Sequence, residues 1–472
     1  MVTLKTAADK HFWQKMWKIA FPVSLQSMMF ALLGLVDILM VSQLGEEAVA
    51  AVGVGNRIFF FNILLIVGVS GAVGVLASQY FGAGRLDGVR KTLAQSWVLA
   101  VVLTIPFMLL YLFFPEAIVH FVNDNPAYVE HATVYLFITG ITLLTPALVI
   151  PLESALRSVG HANLPTVIGM MAVLLNAGLN ALLIFGLFGF PELGVVGAAL
   201  GTSITRVSQT LVLFVVVRMK YRYILPTKSD FIAANVPKAR KKYISVAWPM
   251  VLHDAGWAVG ILVYNLIIGR LGVSELAIIS LLSPIEGVLI SAFIGFSVAT
   301  TTILGHELGA ENYQKAWYQS WWLLGFSVSL ALLVGLLFAL FNSHITLLLE
   351  KANVPDVEMA LKVALIIGFG LSLKVFNMVG VIGILRSGGD IKYGIFIDLF
   401  AQWFVGIPLA FITGLILGWP LHWVMLMILT EEVVKVGLTT QRISIKRWLN
   451  NLVKDDEEDV EVGVVATAHM SA

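Results

Sequence analysis

Long apolar stretches parted by short polar ones recur along the whole chain. About twelve reach the roughly 20 residues that a helix needs to cross a hydrocarbon core. They are expected near 17–43, 47–80, 92–113, 130–157, 163–188, 194–219, 242–270, 276–305, 316–342, 357–385, 391–417 and 420–441. Several exceed the minimum, which implies tilt or bending. Pro22, Pro106, Pro146, Pro151, Pro249, Pro284 and Pro408 lie inside them, where a missing N–H favours a kink. The expected fold is all-α and membrane-spanning, with each helix satisfying its own backbone polar groups.

The polar gaps set an orientation. Basic residues collect in alternate gaps: Lys5 to Lys18, then Arg85, Arg90 and Lys91, then Arg157, then Arg222 to Lys242. The series continues with Lys315, with Arg386 and Lys392, and with Arg442, Lys446, Arg447 and Lys454, whereas the intervening gaps hold little beyond Arg270 and Lys351. Because positive loops stay inside, both termini are expected in the cytoplasm and the number of spans even. That describes a multi-pass protein of a bacterial-type inner (plasma) membrane. The stretch up to Lys18 lacks the layout of a cleaved signal and reads as a cytoplasmic leader. The longest polar interruption, 222–242, reads as a cytoplasmic linker between an N-lobe (1–221) and a C-lobe (243–442). Residues 443–472 read as a cytoplasmic tail, partly disordered through the acidic run Asp455 to Asp459.

Composition narrows the class. The chain is 58% hydrophobic and 12% charged, against about 25% charged in soluble domains, so most of its apolar surface must face lipid. It has no cysteine, which excludes disulfides and thiolate metal sites. The net charge is +1 and no basic domain stands out, which argues against a nucleic-acid partner. No phosphate loop and no His-Glu-x-x-His motif occurs, which argues against direct ATP drive and against a membrane-embedded enzyme. No cofactor is implied.

The chain repeats itself. Phe21-Pro22-Val23-Ser24-Leu25 corresponds to Trp248-Pro249-Met250-Val251-Leu252, and in the same register Gln43-Leu44-Gly45 falls on Arg270-Leu271-Gly272. Tyr80-Phe81-Gly82-Ala83 matches Glu307-Leu308-Gly309-Ala310 without a change of offset. After a loop deletion, Gln95-Ser96-Trp97 recurs as Gln319-Ser320-Trp321, and Leu156-Arg157-Ser158-Val159-Gly160 as Leu385-Arg386-Ser387-Gly388-Gly389. Shared apolar composition does not produce ordered Gly, Arg and Trp matches. Two six-helix units that start on the same side must be related by an axis along the membrane normal. Such halves suit a transporter, with substrate between the lobes and rocking between them giving alternating access.

The chain resembles the multidrug and toxic compound extrusion (MATE) family. The resemblance rests on Ala-Phe-Pro with its Ala-Trp-Pro copy, Gln-Tyr-Phe-Gly-Ala-Gly with Leu-Gly-Ala-Glu-Asn, and the two Leu-Arg-Ser motifs ending at Gly160 and Asp390. It implies a V-shaped pair of lobes that exports organic cations and amphipathic drugs in exchange for H⁺ or Na⁺. Asp37, with Asn176 and Asn180, is similar to the DinF-like branch, where an N-lobe carboxylate takes the coupling cation. An amide at 180, where many such proteins carry a second acid, departs from a two-carboxylate Na⁺ site. The NorM-like branch instead places an acid in the seventh helix, where Asp254 is the candidate.

A carboxylate at membrane depth marks function by default. Asp37 is expected about 9 Å below the outer end of its helix, at 1.5 Å per residue. Asn176 and Asn180 share one helix face, and Thr202 reaches a similar depth, so the four form a candidate cation or proton site. Na⁺ at Asp37 remains open. Loss of the Asp37 charge is expected to let the first helix bend at Pro22. In the second copy Tyr264 stands at the place of Asp37. Asp254, Lys374 and Asp398 form a possible secondary charged site, with Lys374 expected to neutralise the acids. His253 is expected as a hydrogen-bonded packing residue, and Glu153 and Arg206 as partners of cytoplasmic-side groups. Met28, Met29, Met170, Met171, Phe59, Phe60 and Phe61 either line a drug cavity or face lipid and core. A monomer in the lipid bilayer is expected. The alternative within transport, a lipid-linked precursor flippase, would want basic residues lining its cavity.

Overall fold

The computed structural model describes residues 4–351 and 354–454. Twelve helical units follow one another. α1 is Lys10–Val41, α2 Glu46–Gly82, α3 Leu86–Phe113, α5 Asn163–Phe185 and α6 Gly194–Lys220. Between α3 and α5, Pro126–Gly140 and Leu144–Ser158 form a broken α4 bent by 48°. The second half runs α7 Pro237–Leu271, α8 Val273–Gly309, α9 Tyr313–Leu340, α10 Val357–Leu385, α11 Ile391–Ile416 and α12 Leu421–Ser444. Among the described residues, ten helices are long and apolar enough to cross a membrane, and the bent pair makes an eleventh. α12 has the length at 24 residues but carries Glu431, Glu432 and Lys435 at its centre.

The expected boundaries shift at three places. α1 starts at Lys10, earlier than expected, because Asp9 caps it by accepting from the Phe12 N–H at 2.8 Å. α4 breaks at 141–143, one turn before Pro146, whose ring excludes the helical carbonyl four residues back, that of Thr142. The stretch expected as a linker over 222–242 ends early, since Pro237 suits a first helical position and opens α7. Before it, Lys228–Ala234 forms a short helix with a capping box between Thr227 and Asp230. Arg90 of α3 reaches Asp230 at 3.0 Å. Burial disfavours the ionised form of Asp230, but the bonds from Thr227 and Arg90 outweigh it and hold the carboxyl below its ordinary value. The tail expected from 443 onward is ordered at first: α12 runs to Ser444, and residues 445–454 pack against both lobes. The acidic run expected to be disordered lies outside the described residues.

Among the described residues, the buried clusters join the lobes, α1–α6 and α7–α12, at one end only. The buried cluster that joins α2, α3 and α4 takes in Tyr243, Val246, Ala247, Met250 and Val251 of α7. Its counterpart joins Phe12 to Val23 of α1 with Phe293 to Leu308 of α8. All these residues sit toward the face that carries the described terminal segments. At the opposite end the clusters among the described residues stay within one lobe each. The result is a V closed at the termini face.

Glycines make the closure possible, and they do so symmetrically. A Cβ on Gly82 would stand 2.2 Å from the His306 carbonyl oxygen, and one on Gly309 would stand 2.0 Å from that of Gln79. One on Gly68 would meet Val251 Cα at 2.8 Å, and one on Gly295 would meet Ser24 N at 2.7 Å. In the register that places Pro22 on Pro249, Gly82 maps to Gly309, Gln79 to His306, Gly68 to Gly295 and Ser24 to Val251. Each contact therefore appears twice with its partners exchanged, as across a two-fold axis. Small residues let helix backbones approach this closely in lipid, where packing rather than water drives association.

Candidate functional site

Asp37 lies on α1, away from the seam. Asn180 on α5 donates from Nδ2 to Asp37 Oδ1 at 2.9 Å and to Asn176 Oδ1 at 3.3 Å. Both amides are buried, and Asn180 Oδ1 has no hydrogen-bond partner among the described residues. Gly201 on α6 permits this arrangement: a Cβ there would lie 2.4 Å from that same oxygen. Thr202 reaches Tyr135 of α4, whose hydroxyl donates to Asn56 of α2 at 3.1 Å. Of the four residues expected together, Asp37, Asn176 and Asn180 form one hydrogen-bonded group, and Thr202 bonds instead to Tyr135.

Arg206 joins them, contrary to the expectation that it serves the cytoplasmic side. Its guanidinium lies 3.6 Å from the centroid of the Phe59 ring, within electrostatic reach of Tyr135, Tyr111 and Asp37. One terminal nitrogen is buried with no hydrogen-bond partner among the described residues. Side chains lean toward the N-terminus of their helix, and α6 begins at the open end of the V. Arg206 therefore reaches toward the Asp37 layer, although its Cα sits deeper. Phe59 thus packs under a cation. Pro22 lies within a continuous α1.

The C-lobe holds a longer chain of charges. His253 on α7 bridges two acids, Asp254 through Nδ1 at 2.9 Å and Asp398 of α11 through Nε2 at 2.8 Å. Arg386, after α10, approaches His253 at 2.9 Å and Asp254 at 3.8 Å. Lys435 of α12 contacts Glu431 at 2.7 Å, Asp398 at 3.6 Å and Glu432 at 3.7 Å. Tyr264 closes the chain by donating to Glu431. The expected neutralisation by Lys374 fails: Lys374 pairs with Glu286 of α8, while Lys435 serves Asp398 and Arg386 serves Asp254. His253 is a hub rather than a packing residue. Glu286, Glu431, Glu432 and Lys435 lie outside the expected set, though charges four apart at the middle of an apolar segment are themselves a signal.

A smaller set sits near the seam. Glu153 of α4 accepts from Gln26 of α1 at 3.3 Å and from Arg157 at 2.5 Å, as expected for a structural partner. Nearby, at the termini face, burial and the Lys18 ammonium lower the His161 imidazole below its ordinary value, and its Nε2 lies 2.8 Å from the Tyr223 hydroxyl.

Comparison with known proteins decides the family. The sequence profile of MatE matches residues 22–182 and 249–412. The chain belongs to the MatE family. The two matched blocks begin at Pro22 and Pro249, which the repeat relates, so they fall on the two lobes. Among MatE relatives, the Bacillus subtilis (strain 168) transporter YisQ is 24% identical over 451 residues, covering 94% of this chain and 97% of its own. The probable multidrug resistance protein NorM of Haemophilus ducreyi is 25% identical, covering 84% and 86%. The solved outward-facing conformation of a multidrug resistance MATE family transporter superposes with a TM-score of 0.82 at 21% identity, covering 92% of this chain and 96% of that one. The fold is the twelve-helix MATE fold, and the family is one of multidrug transporters rather than enzymes.

Proposed function

We propose that this protein is a secondary multidrug efflux transporter of the DinF-like branch, in which proton uptake at Asp37 drives export of organic cations and amphipathic drugs. It acts as a monomer in the inner membrane with the termini face in the cytoplasm, so the V in hand is outward-open. Drug export is carried over from the multidrug resistance proteins it is similar to. The carrying observation is the pairing of Asp37 with Asn180 beside Arg206. An ionised Asp37 is served by the Asn180 N–H. A protonated one has an acceptor ready in the unpartnered Asn180 oxygen once the amide rotates. Arg206 already supplies a fixed positive charge at this layer, and a second bound cation would be repelled by it in a low dielectric. That favours H⁺ over Na⁺, because a proton neutralises the carboxylate without adding a separate ion. Neutralising Asp37 replaces its charge-assisted bond to α5 with a weaker neutral one, and α1, which lacks an amide hydrogen at Pro22, bends there and narrows the N-lobe side of the cleft.

The test is ethidium efflux from vesicles under separately imposed pH and sodium gradients, for wild type, Asp37→Asn and Arg206→Gln. The pH gradient alone should drive wild type, Asp37→Asn should be inactive, and Arg206→Gln should gain sensitivity to sodium. Sodium-driven transport by wild type, or normal efflux by Asp37→Asn, would overturn the reading.

A further inference from the structure

Beyond α12 the chain turns back under the V. Lys446 adopts a left-handed backbone (φ 60°), and its ammonium rests 4.4 Å from the Trp317 ring centroid on α9. Residues 445–454 then cross from the C-lobe to the N-lobe. On the C-lobe side Trp448 is fully buried. A Cβ on Gly388 would lie 1.5 Å from the Trp448 carbonyl oxygen, so only glycine admits the segment. Asn450 Nδ2 donates to Gly388 O at 3.2 Å, and Lys454 pairs with Glu311 at 2.9 Å.

On the N-lobe side one side chain does most of the gripping. Gln79 of α2 donates to Asn450 O at 3.2 Å and accepts from the Leu452 N–H at 2.6 Å. It also donates directly across the seam to Ser387 O at 2.7 Å. Arg85 donates to Val453 O at 3.4 Å. Val453 is fully buried and belongs to the α2, α3 and α4 cluster. Gln79 is also the residue whose backbone packs on Gly309. The segment therefore covers the seam at the point where the lobes touch.

We propose that residues 445–454 are a conformational strap: they hold the V shut at the termini face and must release α2 before the lobes can separate there. The chain leaves α12 directly and keeps its C-lobe contacts through Trp448, Asn450 and Lys454, so the strap travels with the C-lobe. Its N-lobe contacts are the ones that break. This inference rests on the transporter reading for its activity assay, but its labelling assay needs no substrate.

The natural absence of cysteine makes both assays clean. In one, a thiol-cleavable bifunctional linker joins either Arg85→Cys to Val453→Cys, tying the strap to the N-lobe, or Glu311→Cys to Lys454→Cys, tying it to the C-lobe. Ethidium efflux should stop for the first pair, return on cleavage, and continue for the second. Efflux through the joined first pair, or failure of that pair to join, would overturn the proposal. In the other, Ser78→Cys, buried in the seam against Gly305, is labelled by an impermeant maleimide in inside-out vesicles. Adding Val453→Asp should raise the labelling rate about tenfold, as expected when contacts that bias a two-state equilibrium are removed. An unchanged rate in folded protein would overturn it. If efflux is absent even in wild type while labelling responds, the transport reading fails and the strap stands.

Discussion

In the N-lobe the layer toward the open end holds Asp37, Asn180, Thr202 and Arg206. In the C-lobe the repeat puts Tyr264 in the place of Asp37. The register that relates Arg157 to Arg386 puts Glu431 in the place of Thr202 and Lys435 in that of Arg206. One layer closer to the seam, Gln26 with Arg157 corresponds to His253 with Arg386. The backbone plan is shared, yet the charges are distributed differently. Asp37 is held by one amide and faces one cation at longer range, so its protonation disturbs few partners. In the C-lobe His253, Lys435 and Arg386 lie among Asp254, Asp398, Glu431 and Glu432. Removing any one charge leaves others uncompensated in a low dielectric, so this network resists change. A duplicated fold can thus divide its labour, with one lobe free to titrate and the other braced.

The sharpest break would come from Asp37→Asn. It should abolish proton-driven efflux while leaving the melting temperature close to wild type; retained efflux would mean that the sparse lobe is not the sensor. Next, Lys435→Met should destabilise by about 3–5 kcal/mol, the cost of stranding buried charges, read as a large fall in melting temperature in detergent. Arg206→Met should cost a fraction of that, and equal losses would erase the contrast between the lobes. Gly201→Ala forces a methyl against Asn180 and should cost about 1–3 kcal/mol through overpacking, with slower efflux as the amide turns from Asp37. The C-lobe already carries Thr430 at the related position, so overpacking there is not expected to be general. The smallest effect concerns the linker. Because the carboxyl of Asp230 is held below its ordinary value, its contribution is complete at neutral pH and fades only as the pH falls below about 4. Proteolysis within 222–236 should therefore be flat with pH above that range and rise below it; a rise near pH 6 would assign control to another group.

Spans and their duplication were legible because apolar length and register are properties of the chain. The apolar pattern predicts α10 at 357–385 and a start of α5 at Asn163, and both hold. The Asp37 layer was legible too, since depth follows from counting residues along a helix. Pairing was not. Lys374 and Asp398 sit on neighbouring helices in sequence, but rotation about each axis turns Lys374 toward α8, and no spacing rule fixes that rotation. Arg206 departs from expectation for a related reason: the lean of a long side chain toward the start of its helix carries the charge toward the open end. The fold of residues 445–454 had no periodic pattern to announce it, and its order comes from Gly388, Gln79 and a buried Trp448.

The paired glycine contacts have a mechanical meaning. While the termini face stays shut, they place the fulcrum of the molecule at one end of very long levers: α2 and α8 have 37 residues each, or about 55 Å at 1.5 Å per residue. A rotation of about 10° at such a fulcrum sweeps the far tips through about 10 Å, the width of a small-molecule guest, while atoms beside Gly82 and Gly309 shift by little more than a bond length. Large gape is then obtained from small sliding, and a single added methyl at the fulcrum is magnified by the same ratio.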